Sequence, residues 1–424
     1  MITNQGPGDP PGPSRSERLV LRTDLPPEHQ AKFERFMIEF DGVFPPPLRP
    51  YFRTYVQTLL SSGPRKSIRR MAAEAGISLS HLRKMLQDPR WDAGHLRDQF
   101  RWQVLRDHPI KAGCALLLET KWYEREKSDA GAPDSSPAPE NPPSPAIVHL
   151  GLADGRFRCL LESEPYVPAQ WLADGARRES LGISKRHVFR PPWKIALSLL
   201  GQARTQGLHV GWLYVGRTFG SELPFLLALG EMDCRYVAEV PADLPGWLYP
   251  PVGVPNEEGR ALGPGSTRDR TLQRPPHSVR ELSMGCPPSE RVSIRDPYGP
   301  QKPEDWQAGI LPFYPASEGV PSSALGLIVL RHEATGETKY FLTNGAMGTS
   351  LTDLVRIALS GRPIERQLKE DARATGLHRV SLRGYRMLER HLILSAISLL
   401  FRSKLLLDQE AETEGSKRTV LSTG

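Results

Sequence analysis

Apolar and polar positions alternate with a helical period in the first quarter of the chain and switch between strand and helix periods after it. Within residues 29–111, the stretches AKFERFMIEFDGVF, RPYFRTYVQTLLSS and HLRDQFRWQVLRD space their apolar residues three and four apart, as one buried face of a helix requires. Ser67–Gln87 (SIRRMAAEAGISLSHLRKMLQ) carries two such stripes. Ile68, Met71, Ala72 and Ala75 form the first; Leu79, Leu82, Met85 and Leu86 form the second. Gly76 falls where a helix end needs a positive φ, Ile77 packs the turn, and Ser78 or Ser80 caps the second helix.

The later chain reads differently. Gly113–Thr120 (GCALLLET) is a short apolar run, a buried-strand candidate. Ala146–Ala153 and Arg156–Glu162 predict a hairpin turning at Asp154-Gly155. Pro192–Gln206 predicts an amphipathic helix, Val210–Val215 a strand, Ser221–Met232 a helix and Cys234–Val240 a strand. This alternation predicts an α/β core. Leu325–Arg331 and Lys339–Thr343 predict a second strand pair. Two helices follow, Ser350–Ser360 and Pro363–Thr375, with Pro363 in the first turn of the second, where proline is tolerated. Tyr385–Leu407 predicts a long core-packing helix.

Length and composition set the boundaries. The 424 residues allow two to four domains at ~100–200 residues each. Residues 1–28 are Pro/Gly-rich and expected to be a disordered tail; residues 29–111 form a helical domain. The α/β core takes 112–127 and 146–407. It is interrupted by the Pro-rich loop 128–145, with six prolines in 18 residues, and by an irregular insertion at 241–345; residues 408–424 close the chain as a disordered tail. A membrane span is not expected, because the longest apolar stretch, Leu392–Leu407, is broken by Ser395, Ser398, Arg402, Ser403 and Lys404. The N-terminus lacks the apolar core of a signal peptide. Cys114, Cys159, Cys234 and Cys286 have no metal-ligand spacing and point to a reducing cytoplasm.

Charge is the feature that most changes this picture. The net charge is +7, and all of it lies between Tyr51 and Lys111, where twelve basic residues meet five acids; the remainder balances at 43 and 43. Such an island is either a footprint for a polyanion or a solvated surface. Ala72, Gly76 and Leu82 have the spacing of a helix-turn-helix, which would leave His81, Arg83 and Lys84 to reach DNA from the second helix. Arg65, Lys66, Arg69 and Arg70 would lie near phosphates at the first. An ordinary helical hairpin is the alternative. Trp91, Trp171, Trp193 and Trp212 are expected to pack cores.

From about Phe40 to Phe401 the order of pieces resembles the insertion-sequence transposases of the DDE superfamily endonuclease type. The resemblance is carried by RKSIRRMAAEAGISLSHLRKMLQDPRWD, YVPAQWLADGARRESLGI, WKIALSLLGQARTQGLHVGWLYVGRTFGSELPFLLALGEMDCRYVAEVP, KYFLTN and LTDLVRIALSGRPIERQLKEDARATGLHRVSLRGYRMLERH. It implies an RNase H-like mixed sheet flanked by helices and preceded by an all-helical helix-turn-helix domain. It further implies double-stranded DNA as partner, a bacterial, nucleoid-associated protein of the cytoplasm, and compatibility with a homodimer.

The resemblance also implies Mg²⁺-dependent strand transfer, an in-line displacement at phosphorus for which three acids hold two hard cations. Carried over, the first acid position falls at Leu118, the second at Gly216 and the third at Glu365. Glu119 adjoins Leu118, but neighbours on a strand face opposite ways and only a bulge would turn it inward. Asp233 is a distant substitute for Gly216. The helix basic position seven residues after the third acid is Ala372, and the arginine position four before it is Gly361, with Arg362 adjacent. Arg383, Tyr385, Arg390 and His391 also match, either for packing or for phosphate contact. Three readings follow: a DNA-binding protein without the metal chemistry, Mg²⁺ not being held productively; an active transposase using Glu119, Glu365 and another acid; or an interaction scaffold with a merely solubilising basic segment.

Overall fold

The computed structural model describes residues 27–61, 67–108, 114–121, 146–155, 157–249, 275–295, 303–317, 320–321, 324–377 and 384–422. The helical part comprises α1 (Pro27–Ile38), α2 (Arg49–Leu60), α3 (Ile68–Glu74), α4 (Leu79–Gln87) and α5 (Ala93–Asp107). Ser67, Ser78 and Asp92 cap α3, α4 and α5, each accepting a backbone N–H of the first turn, which satisfies donors a helix start leaves open. Gly76 adopts φ +65° between α3 and α4. The two predicted stripes turn inward: Ile68, Met71, Ala72, Leu82, Met85 and Leu86 are buried, and α2 packs against both helices.

The remaining elements are β1 (Cys114–Lys121), β2 (Ala146–Asp154), β3 (Phe157–Tyr166), α6 (Ala169–Ala173), α7 (Gly175–Ser180), α8 (Pro192–Thr205), β4 (Trp212–Val215), α9 (Arg217–Gly220), α10 (Leu223–Glu231) and β5 (Tyr236–Val240). They continue with β6 (Pro245–Trp247), β7 (His277–Ser278), α11 (Val279–Ser283), β8 (Glu290–Ile294), β9 (Glu304–Ser317), β10 (Val320–Pro321), β11 (Leu325–His332), β12 (Thr338–Thr343), α12 (Leu351–Ala374) and α13 (Tyr385–Ser422). Among the described residues they make a mixed α/β architecture on one twelve-stranded sheet. Its first half runs in the order β3-β2-β1-β4-β5. β1, β2 and β3 are antiparallel, and β4 and β5 run parallel to β1; this order is consistent with an RNase H-like sheet. Helix α12 lies across β1, β4 and β5.

Three expectations need correction. The stretch 241–345 is not simply irregular: β12 pairs with β5, and β11, β9 and β8 follow outward, so an apolar hairpin extends the sheet. Residues 250–274 and 296–302 of that stretch lie outside the described residues, as do 1–26 and the Pro-rich loop 128–145. The helices expected at 350–360 and 363–375 are one helix with Pro363 inside it. Proline removes one helical hydrogen bond, but Leu354, Val355 and Ala358 before it and Leu368 and Ala372 after it are buried, and packing on both sides keeps the axis continuous. The last helix continues past Leu407 to Ser422, through the stretch expected to be disordered; DQEAETEGSKR is rich in good helix formers.

Buried charges tie the helical part to the sheet. The Arg390 guanidinium of α13 lies 4.0 Å over the Trp91 ring and donates to the Leu86 carbonyl at 2.9 Å and to the Trp91 carbonyl. Burial lowers its pKa to about 10. Beside it, His391 is hydrogen-bonded to the Tyr55 hydroxyl at 2.9 Å. Arg101 of α5 donates to Glu162 of β3, with both side chains buried. Arg390 and His391 therefore serve packing; Arg383 lies outside the described residues.

Candidate functional site

The strand register brings the three family positions together. β1 and β4 run parallel with Leu117 beside Val215, so one residue further Leu118 adjoins Gly216. β4 and β5 pair Val215 with Ala238, which sets Glu239 beside Gly216 on its other flank. Strand alternation turns Leu118, Gly216 and Glu239 to the face carrying Leu116, Tyr214 and Val237. Helix α12 covers that face: an added Cβ at Gly361 would overlap the Tyr214 ring, and one at Gly216 would stand 3.0 Å from Oε2 of Glu365. Leu118 is 1% exposed and closes with Leu368 over Gly151.

Only Glu365 among those three positions carries a carboxylate, and Lys369 one turn on donates to its Oε1 at 2.6 Å. Glu239, 5% exposed, accepts from both Nε (2.7 Å) and a terminal nitrogen of Arg362, a bidentate clamp. The Tyr214 hydroxyl also donates to Glu239, at 3.4 Å. Burial, and then the charges of Glu239 and Glu365, push the Tyr214 phenol far above its ordinary range. The hydrogen bond to Glu239 raises the Arg362 pKa.

Glu239, Arg362, Glu365 and Lys369 line a cleft of about 450 Å³, open between α12 and the start of α9, with Arg217, Arg366, Glu370 and Arg373 at its rim. Glu119 does not line it. Burial raises the pKa of Glu119, and the Lys369 charge opposes that rise. Asp233 precedes β5, whereas Gly216 and Glu239 lie at the C-terminal ends of β4 and β5; it sits at the far edge.

Divalent cations need several oxygens free to coordinate. Here Arg362 and Lys369 already hold Glu239 and Glu365, the flanking strand positions are a leucine and a glycine, and the third lining carboxylate, Glu370, is exposed at the rim. Among the described residues, no group of three or more His, Cys, Asp or Glu side chains is placed to hold a metal ion. Mg²⁺ does not fit this arrangement. Glu239 and Lys369 were not singled out from sequence. The signals were a lone acid inside the apolar strand CRYVAEV and a Glu–Lys spacing of four on one helix.

The basic island resolves into two populations. His81, Arg83, Lys84 and Arg69 are exposed; His81 stacks on Tyr51 at 5.0 Å, and Arg70 pairs with Glu74 at 2.7 Å. Arg65 and Lys66 lie outside the described residues. Arg53 pairs with Glu34 and Asp41, Arg106 with Glu39, and Arg101 with Glu162. All four acids lie outside the island, so its surface excess is smaller than its count.

Residues 47–298 match the family described as DDE superfamily endonuclease, more than half of the 424 residues. The match ends before α12. No curated protein matches the chain. No helix among the described residues is long and apolar enough to cross a membrane.

Proposed function

Because the chain belongs to the DDE superfamily endonuclease family, we propose that it is a transposase-type protein that binds double-stranded DNA but no longer performs metal-dependent strand transfer. The carrying observation is the pairing of Glu365 with Lys369, next to Gly216 and Leu118. In this reading two of the three metal-binding acids are gone and the third is neutralised by a neighbouring lysine. DNA engages a helix-turn-helix made by α3 and α4, with His81, Arg83 and Lys84 toward the bases and Arg65, Lys66, Arg69 and Arg70 toward phosphates. The exposure of the described members supports this. The same reading expects a bacterial, nucleoid-associated protein and accommodates a homodimer.

The test pairs two assays on the full chain. A gel shift with duplex DNA is expected to show binding that weakens steeply with salt, and incubation with Mg²⁺ or Mn²⁺ is expected to leave the DNA uncut. Absence of duplex binding would overturn the first half and favour the scaffold reading. Metal-dependent cutting that disappears in Glu365→Ala would overturn the second and favour a rearranged acid set that includes Glu239.

A further inference from the structure

The flanks of α1 and α13 and the C-terminal end of α5 enclose a trough of about 490 Å³ that shares no residue with the cleft. Its two long walls follow one pattern. Lys32, Arg35, Phe36 and Glu39 of α1, and Phe401, Lys404, Leu405 and Asp408 of α13, are each spaced i, i+3, i+4, i+7, which puts each set on one helix face. Phe36 and Phe401, both buried, join the walls with ring centroids 5.3 Å apart. Asp107 and His108 close the end.

One ion pair bridges each gap between these helices: Lys32 to Asp408 at 2.7 Å from α1 to α13, Lys404 to Asp107 at 3.0 Å from α13 to α5, and Arg106 to Glu39 at 3.0 Å from α5 to α1. Each such surface pair adds little stability alone, but together they tie three helices around an open volume. They also settle the charge of the lining. Its acids, Glu39, Asp107 and Asp408, are all paired, and so are Lys32 and Lys404. Arg35 is exposed and makes no ion pair with a described acid; its Nε donates to the Ala31 carbonyl of its own helix at 3.4 Å. At the closed end, the His108 ring stacks on Phe157 at 4.1 Å. Its Nε2 is shielded from solvent and has no hydrogen-bond partner among the described residues. Burial, and then the Lys404 charge, lower the His108 pKa, and a neutral imidazole still donates one N–H.

Apolar walls, an unspent guanidinium and an unsatisfied imidazole nitrogen complement one kind of molecule. We propose that the trough binds a small organic anion, its apolar body against Phe36, Phe401 and Leu405 and its charged head on Arg35 and His108. The volume is that of an ordinary small-molecule site, and a shielded polar atom calls for a partner. The bound anion bridges the helical part and the last helix. The site uses no residue of α3, α4 or the cleft, so it stands or falls independently of the DNA reading.

The test titrates anilinonaphthalene sulfonate, an apolar anion that fluoresces when dehydrated, into the full chain. Phenylnaphthylamine serves as the same body without the charge. The sulfonate is expected to fill one saturable site and to be displaced by decanoate. Arg35→Gln is expected to weaken the sulfonate about tenfold, as loss of a charge-assisted hydrogen bond does, and to leave phenylnaphthylamine unchanged. Unchanged thermal unfolding of this variant would certify the fold, since the side chain is exposed. His108→Phe, which keeps a ring on Phe157, is also expected to weaken the sulfonate. Sulfonate affinity unchanged in either variant, failure of decanoate to compete, or displacement of the sulfonate by duplex DNA would overturn the proposal.

Discussion

Arginines are used in opposite ways at the junction beneath the N-terminal helices and in the cleft beside α12. At the junction, Arg101 and Arg390 are almost fully buried and each is held by specific acceptors, Glu162 in one case and the Leu86 and Trp91 carbonyls in the other. In the cleft, Arg217 and Arg373 are exposed around an open volume. Both sets count equally toward the +7 net charge, yet only the second faces solvent, where a ligand can reach it. A charge summed along sequence is therefore a poor measure of charge offered to a partner. What decides is whether an acceptor from elsewhere in the chain has already claimed the side chain.

The comparison breaks first at the junction. Arg101→Met alone would strand a buried carboxylate, and removal of one partner of such a pair costs about 3–5 kcal/mol. Denaturant unfolding should read a loss of that size, whereas Arg101→Met/Glu162→Leu, which removes both charges, should recover most of it. An Arg101→Met variant as stable as the wild type would place Arg101 with the ligand-facing set. A smaller effect is expected at the packing of α12 on β4. Gly361→Ala would overlap the Tyr214 ring and cost about 1–3 kcal/mol, again read by denaturant unfolding. Its absence would mean that the helix sits further from the sheet than Glu365 requires.

Arg83→Ala/Lys84→Ala sharpens the contrast on the ligand-facing side. Both side chains are exposed, so stability should change by less than about 0.5 kcal/mol. Duplex affinity should fall, and the salt slope should drop by about 0.9 for each phosphate these two side chains neutralise. A large stability loss with an unchanged slope would instead assign these residues to structure. The smallest effect concerns Glu119. Burial raises its folded pKa above the unfolded value, so its contribution to stability is present at low pH and is lost as pH rises through the folded pKa. Glu119→Gln should be close to neutral in acid and stabilising at neutral pH, by less than about 1 kcal/mol because the side chain is only partly buried. Unfolding measured at both pH values checks the sign.

Much of the fold was legible because its signals are local. The cap at Ser78, the left-handed Gly76 and the hairpin turn at Gly155 are each dictated by a few neighbouring residues. The single helix through Pro363 was not, since local preference argues for a break there and tertiary packing overrides it. The sheet beyond β5 was partly hidden for the same reason: β12 and β11 read as a hairpin, but nothing local shows which strand they join. At the cleft, the positions Leu118, Gly216 and Glu365 could be lined up from the resemblance. That Lys369 and Arg362 hold the carboxylates depends on where α12 crosses the strands. Glu239 and Arg362 are partners across 123 positions of sequence, and Arg101 and Glu162 across 61; neither pairing leaves a local trace.

The central claim is that the cleft satisfies Glu239 and Glu365 with side-chain cations rather than divalent metal. Electron paramagnetic resonance of Mn²⁺ titrated into the full chain at low ionic strength tests it most directly. The account predicts that the signal of free Mn²⁺ grows in proportion to the metal added, in the wild type and in Glu365→Gln alike. A stoichiometric bound Mn²⁺ in the wild type that is lost in Glu365→Gln would contradict it.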